Sequence, residues 1–180
     1  PLPGRHNIMN ALAACAVALA AGAEPAAVKH GLESLSPVAG RFNIHSQSGD
    51  ITLIDHTYNA NPESLQAALD VLTLSDDDSW LVLGDMGELG ATAAGLHTAV
   101  GRKARAAGVT RLYGLGELAA QAVAAVDGPG GAFGSLDELL DVLRTELTGP
   151  LHILVKGSRS MRMERVVAAL DDAAAGGGKH

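Results

Sequence analysis

Leu151-His152-Ile153-Leu154-Val155-Lys156-Gly157-Ser158-Arg159-Ser160 opens on a short apolar run, breaks at Lys-Gly-Ser and leads into a helical segment, roughly Ser158–Leu170. A run of that length between turn residues reads as a buried strand. Working outward, Ile51 to Ile54, Leu81 to Leu83 and Arg111 to Leu115 repeat the pattern, followed by helical stretches at about Pro62–Leu74, Ala91–Ala107 and Leu118–Val126. Leu136–Leu147 reads as a helix before the last strand. Repeated β–α units predict an α/β fold, a mostly parallel sheet with helices on both faces. Phe42 to Gln47, joined to the next strand by Ser48-Gly49-Asp50, reads as a hairpin edge strand. Upstream, residues 6–21 predict a helix stopped by Gly22, and Pro25 opens a second that runs from Ala26 to Leu35, before Ser36-Pro37. This pair is apolar nearly all round, so it calls for a partner surface outside the chain. The stretch Ala173 to His180, with three glycines, reads as a disordered tail.

The 180 residues suffice for one domain with a little to spare. Thirteen Lys and Arg against twenty Asp and Glu leave a net charge of −7, which argues against a general nucleic-acid binder. Hydrophobic residues make up 47% but aromatics only 3%, so Ala, Leu and Val must fill the core, which suits close helix-on-sheet packing. Cys15 is the sole cysteine, so neither an intrachain disulfide nor a cysteine-rich zinc site can form. Ala11 to Ala21, the most apolar stretch, is too short to span a bilayer, which takes about 20 residues. Its flanks make a poor signal peptide. These features lead us to expect a soluble, cytoplasmic protein.

Ligands of open α/β sheets bind beyond the carboxyl ends of the strands. Three polar segments fall there: Asp55-His56-Thr57-Tyr58-Asn59-Ala60-Asn61-Pro62, Gly84-Asp85-Met86-Gly87-Glu88-Leu89-Gly90 and Lys156-Gly157-Ser158-Arg159-Ser160. In the last, Ser158 is placed to cap the following helix, whose exposed N–H groups attract anions. Lys156, Arg159 and Arg162 add positive charge, suiting a phosphate or a carboxylate, although Arg159 and Arg162 could instead pair with Asp171 or Glu164. Asn59 and Asn61 each offer a donor and an acceptor, suited to a peptide-like ligand, while Asn61 could equally be the N-cap before Pro62. Asn7 and Asn10 share a helix face; an Asn amide matches an adenine edge, and the plain alternative is a cap and a solvated side chain. Arg41 sits at the junction of helical pair and sheet, placed to clamp a phosphate or to brace the linker. The chain has no GxxxxGK[ST] loop, no GxGxxG after its first strand, no HExxH and no GxSxG. It therefore lacks an evident catalytic engine of its own.

Five segments occur in order: Gly4-Arg5-His6-Asn7-Ile8-Met9-Asn10-Ala11-Leu12, Pro37-Val38-Ala39-Gly40-Arg41, Tyr58-Asn59-Ala60-Asn61-Pro62, Val82-Leu83-Gly84-Asp85-Met86 with Glu88-Leu89-Gly90, and Val155-Lys156-Gly157-Ser158-Arg159-Ser160-Met161. Together they resemble the carboxy-terminal part of the Mur ligase family, in its branch that adds D-Ala-D-Ala to UDP-MurNAc-tripeptide. The resemblance implies a three-domain parent in which this chain is the last helical pair of a central ATPase domain (1–39), a Rossmann-like carboxy-terminal domain (40–172) and the tail (173–180). An amino-terminal domain for the UDP-sugar and a central domain carrying the phosphate loop and Mg²⁺ would be the missing partners. It implies an ATP-dependent amide ligation through an acyl phosphate, to which this chain contributes part of two sites and no catalytic or metal-binding residue, being inert alone. ATP is expected to meet Asn7, Asn10 and Arg41, and D-Ala-D-Ala to meet Tyr58, Asn59, Asn61, Lys156, Ser158, Arg159 and Ser160. Closure of the domains is expected to turn about Gly40-Arg41.

One position departs from the family pattern. Where the family usually carries an Asp that meets the ATP ribose, this chain has His56, with Asp55 one step earlier. Either His56 or Asp55 is expected to take that contact. The alternative to a ligase part is a non-catalytic, Mur-ligase-like binding or regulatory module.

Overall fold

Six strands form one sheet in the order β1-β2-β6-β3-β4-β5. The strands are β1 (Asn43–Ser46), β2 (Ile51–His56), β3 (Asp78–Gly84), β4 (Arg111–Leu115), β5 (Gly130–Phe133) and β6 (Leu151–Lys156). This computed structural model describes residues 5–35, 38–46 and 50–176. Only β1 runs antiparallel, pairing with β2 as the expected edge hairpin, whose connecting Ser48-Gly49 lies outside the described residues. The other pairings are parallel. The chain is therefore a Rossmann-like α/β protein, as expected.

Topology decides which face each helix covers. From β2 the chain steps through α3 (Pro62–Leu72) to β3, through α4 (Ala93–Ala107) to β4 and through α5 (Glu117–Ala124) to β5, always in one direction across the sheet. It then returns through α6 (Leu136–Glu146) to insert β6 between β2 and β3, and ends in α7 (Glu164–Gly176). Right-handed crossovers put the first three helices on one face and the returning one on the other. Strand residues split accordingly. Ile54, Leu81, Leu83, Leu112 and Leu154 join the α3–α5 side. Leu53, Trp80, Val82, Tyr113, Ile153 and Val155 join the α6–α7 side. Central strands covered on both faces need unbroken apolar runs, which is why β3 and β6 stood out in the sequence.

Two helices precede the sheet, α1 (Arg5–Ala20) and α2 (Pro25–Glu33). No residue of α2 is buried, and Ile8, Met9, Leu12 and Val17 of α1 are 57–71% exposed. The expected uncovered apolar face is present.

Three expectations need correction. Strand β5 was not anticipated, because Gly130-Gly131-Ala132-Phe133 has low strand propensity. The last helix does not begin at Ser158: residues Arg159–Met161 form a single 3₁₀ turn, and Arg162 at φ 49° interrupts it before α7 starts at Glu164. Ala173–Gly176, assigned to the tail, continue α7, since a run of alanines favours helix; residues 177–180 lie outside the described set.

The shortage of aromatics is met by close helix contacts. Gly101 of α4 lies against the Ala122 carbonyl of α5, and a Cβ there would run into that backbone. Gly101→Ala should destabilise the chain by about 2–4 kcal/mol in urea unfolding, by overpacking that only backbone movement relieves.

Candidate functional site

The register sets the ends of three strands level. His56 pairs with Lys156, and Lys156 with Leu83, so the segments after β2, β6 and β3 leave the sheet side by side. Residues 58–61, 87–89 and 158–160 from these segments enclose a cleft of about 460 Å³. Asn59, Ser158 and the loop that follows Asp85 thus share one rim.

Each segment is held from behind. Buried Asp55 accepts from Thr57 N (3.1 Å) and Thr57 Oγ1 (2.7 Å) through one oxygen, and from Gly40 N (3.2 Å) through the other. Asn61 caps α3 in a reciprocal capping box: its Oδ1 accepts from Ser64 N (2.7 Å) and its N–H donates to Ser64 Oγ (3.2 Å). Asn59 Oδ1 accepts from Ala60 N at 2.8 Å. Both asparagines thus use their side-chain oxygens on the loop, and both line the cleft. On the second segment, the Asp85 carboxylate accepts from Ala119 N (2.7 Å) in the first turn of α5, and its carbonyl accepts from Ser158 N (2.9 Å). Met86 N donates to His97 Nε2 (2.9 Å), and His97 Nδ1 donates to Ala93 O (2.7 Å), an arrangement that needs a neutral imidazole. Glu88 takes a left-handed φ of 61° at the cleft wall, a conformation a non-glycine side chain holds only under restraint.

A second cavity, about 530 Å³, lies between α1 and the start of α3 and is lined by Asn7, Asn10, Arg41, His56, Asn61 and Glu63 among others. Asn61 borders both cavities. The Arg41 guanidinium lies over the Tyr58 ring, 4.1 Å from its centroid. Lys156 lies beneath the rim, wholly buried, donating to Asn59 O (2.7 Å) and meeting His56 Nδ1 at 3.2 Å. Burial pushes its amine down to about 7.

A family profile described as "Mur ligase, glutamate ligase domain" matches residues 40–159. The chain belongs to the Mur ligase family. Two curated relatives, each named UDP-N-acetylmuramoyl-tripeptide–D-alanyl-D-alanine ligase, are similar along nearly its whole length. The Escherichia coli protein is 42% identical over 174 residues and the Haemophilus influenzae protein 39% over 178, each match covering 96% of this chain and 38% of the relative. A crystal structure of MurF from Acinetobacter baumannii superposes at TM-score 0.85 with 34% identity, covering 96% of this chain and 38% of that one. The more distant MurC from Thermotoga maritima, at 19% identity and TM-score 0.72, shares the fold. This Mur ligase chain thus spans 38% of the length of its curated relatives.

Most residues singled out in the sequence fall on the two cavities. Asn7, Asn10, Arg41 and His56 line one, and Tyr58, Asn59, Asn61, Ser158, Arg159 and Ser160 the other. Asp55 and Lys156 do not. Asp55 is only 7% exposed with both oxygens engaged, and Lys156 supports the rim from inside. Ser158 makes no side-chain cap; its hydroxyl meets Ser160 Oγ at 3.0 Å. Arg159 reaches Glu164 at 3.5 Å, one of the two partners considered for it, while remaining largely exposed. The pivot expected at Gly40-Arg41 is fastened to the sheet: Gly40 is buried at φ 73°, accepts from Tyr58 N at 2.9 Å, and would clash there if it carried a Cβ.

Sequence reading missed the support at His97, and it singled out the segment of Asp85 without seeing how its carboxylate is used. A lone histidine on the apolar face of α4 was the only trace of the first. For Asp85 the trace was an α5 that begins after Gly116, without a capping side chain of its own.

Lys156 makes stability depend on pH. In the unfolded chain its amine keeps a proton up to about 10.5, in the native state only up to about 7. Between those values the unfolded state binds more protons, so stability rises with pH, by at most about 1.4 kcal/mol per unit. Urea unfolding between pH 7 and 9.5 should show this rise in the native sequence, and Lys156→Met should remove that part of the slope.

Proposed function

We propose that this chain is the nucleotide- and acceptor-binding end of an ATP-dependent ligase that joins D-Ala-D-Ala to UDP-MurNAc-tripeptide. The observation that carries this reading is the pair of adjoining cavities, one lined by Asn7, Asn10, Arg41 and His56, the other by the amide, hydroxyl and guanidinium groups of Asn59, Asn61, Ser158, Arg159 and Ser160. Residues 1–39 are the end of a central ATPase domain and 40–172 the carboxy-terminal domain, a division supported by the profile match starting at residue 40 and by the uncovered apolar face of α1.

The first cavity suits ATP: amides for the adenine edge, and the Arg41 cation for phosphate. Glu63 on its wall favours a nucleotide whose phosphates keep to the Arg41 side. Mg²⁺ is assigned to the central domain, as the family resemblance implies. In the second cavity the N–H₂ groups of Asn59 and Asn61 donate to the acceptor's carbonyl or carboxylate oxygens, and Arg159, turning from Glu164, neutralises its carboxylate. The reaction forms a C–N bond between the dipeptide amine and the tripeptide carboxyl carbon. It breaks the acyl C–O bond to phosphate, and the amine loses a proton. This chain positions the reactants and supplies no phosphate loop. Among its described residues no helix is long and apolar enough to cross a membrane. The working compartment we propose is the cytoplasm, where ATP is available.

Arg159→Ala in a full-length ligase carrying this chain should raise the dipeptide KM by about 10–100-fold, as expected for loss of a charge-assisted contact, with the ATP KM unchanged. An unchanged dipeptide KM would remove the acceptor assignment. The 180-residue chain alone should form no ligation product from ATP, UDP-MurNAc-tripeptide and D-Ala-D-Ala; product detected by mass spectrometry would overturn its dependence on missing domains.

A further inference from the structure

Between the two cavities, one buried side chain that lines neither bonds to a residue of each. Lys156 donates to the Asn59 carbonyl behind the acceptor-side cleft and meets Nδ1 of His56, which lines the other cavity. We propose that Lys156 is a positioning residue that couples the cavities, holding the Asn59 backbone and the His56 ring together through one proton shared between Lys156 Nζ and His56 Nδ1.

The geometry admits at most one excess proton across the pair. At 3.2 Å only one of the two nitrogens can be cationic, because a second proton would set Nδ1–H against an ammonium with no lone pair between them. With the proton on Lys156, the amine donates to both partners and the ring is held neutral with its hydrogen on Nε2. With the proton on His56, Nδ1–H donates to the amine, which still reaches Asn59. Either form keeps the wall intact; the doubly protonated form breaks it.

Several of the charged groups around the pair are engaged elsewhere. Asp55, next to His56 on β2, uses its carboxylate on Gly40 and Thr57. Asp85, beyond β3, directs its carboxylate to α5, and Arg159 faces out toward Glu164. On the cavity side of His56 stand Arg41, engaged with the Tyr58 ring, and Glu63 at the start of α3. Burial is what lowers the Lys156 amine. Phe42 packs against the His56 ring, with centroids 4.7 Å apart.

The coupling goes beyond the proposed ligation, and its first test needs no substrate. With lysine side chains labelled at Cε, the chain's four lysines can be followed by NMR through a pH titration. One resonance, absent in Lys156→Met, should titrate near neutrality, and in His56→Asp its midpoint should climb by more than one pH unit as a carboxylate replaces the imidazole. Titration of all four together near pH 10, or an unmoved midpoint in His56→Asp, overturns the shared proton. The second test uses the full-length ligase. Lys156→Met should raise the KM for ATP and for dipeptide together, each by at least about fivefold. His56→Asp should flatten the fall in kcat/KM between pH 8 and 6. A rise in one KM alone, or a pH profile in His56→Asp that overlays the native one, overturns the coupling. Because Arg159→Ala reports on the acceptor assignment alone, failure of that assignment and failure of the coupling give different results.

Discussion

The insertion of β6 between β2 and β3 is the constraint on which the rest of this molecule depends. A parallel strand laid into the centre of a sheet must match the register of both neighbours. Here that match brings His56, Lys156 and Leu83 to the same height. Every loop that builds the cleft starts from that line. The cost of the arrangement is a charged side chain at the last position of a strand covered on both faces. Lys156 is tolerated there because a carbonyl and an imidazole nitrogen receive its hydrogens.

The loops are rigid for reasons separate from any ligand. Asp55, Asp85, Asn61 and His97 each satisfy backbone N–H groups that a turn at a strand end would otherwise leave without partners. This second layer frees the groups in front of it. Ser158, Ser160, Arg159 and the two asparagines line the cleft, while their neighbours behind hold the backbone. Such preorganisation lowers the ordering needed when a ligand arrives.

Much of this was legible in the residues, and the boundary of legibility has physical causes. Buried central strands announce themselves as continuous apolar runs, so β2, β3, β4 and β6 could be read directly. The glycine-rich β5 could not, since its strand character comes from pairing with β4 rather than from propensity. The cleft-facing residues were found because polar side chains at strand ends are unusual. What was not found is everything that depends on a partner distant in sequence. Asp55 and Lys156 look like surface groups until the register shows where they point, and no local pattern links His97 to Met86. The αL turn at Arg162, which separates the Ser158 loop from α7, is likewise invisible in a stretch that otherwise favours helix.

Asn61 borders both cavities while its side chain closes the first turn of α3. Few residue types could stand in for it. Serine or threonine would still terminate the helix but present no amide, and aspartate would terminate it well while turning a donor into a negative charge. Drift at this site is therefore restricted by helix chemistry and ligand chemistry at once. The same bond also makes α3 a shared lever: whatever shifts the start of that helix alters the shape of two pockets in a single movement.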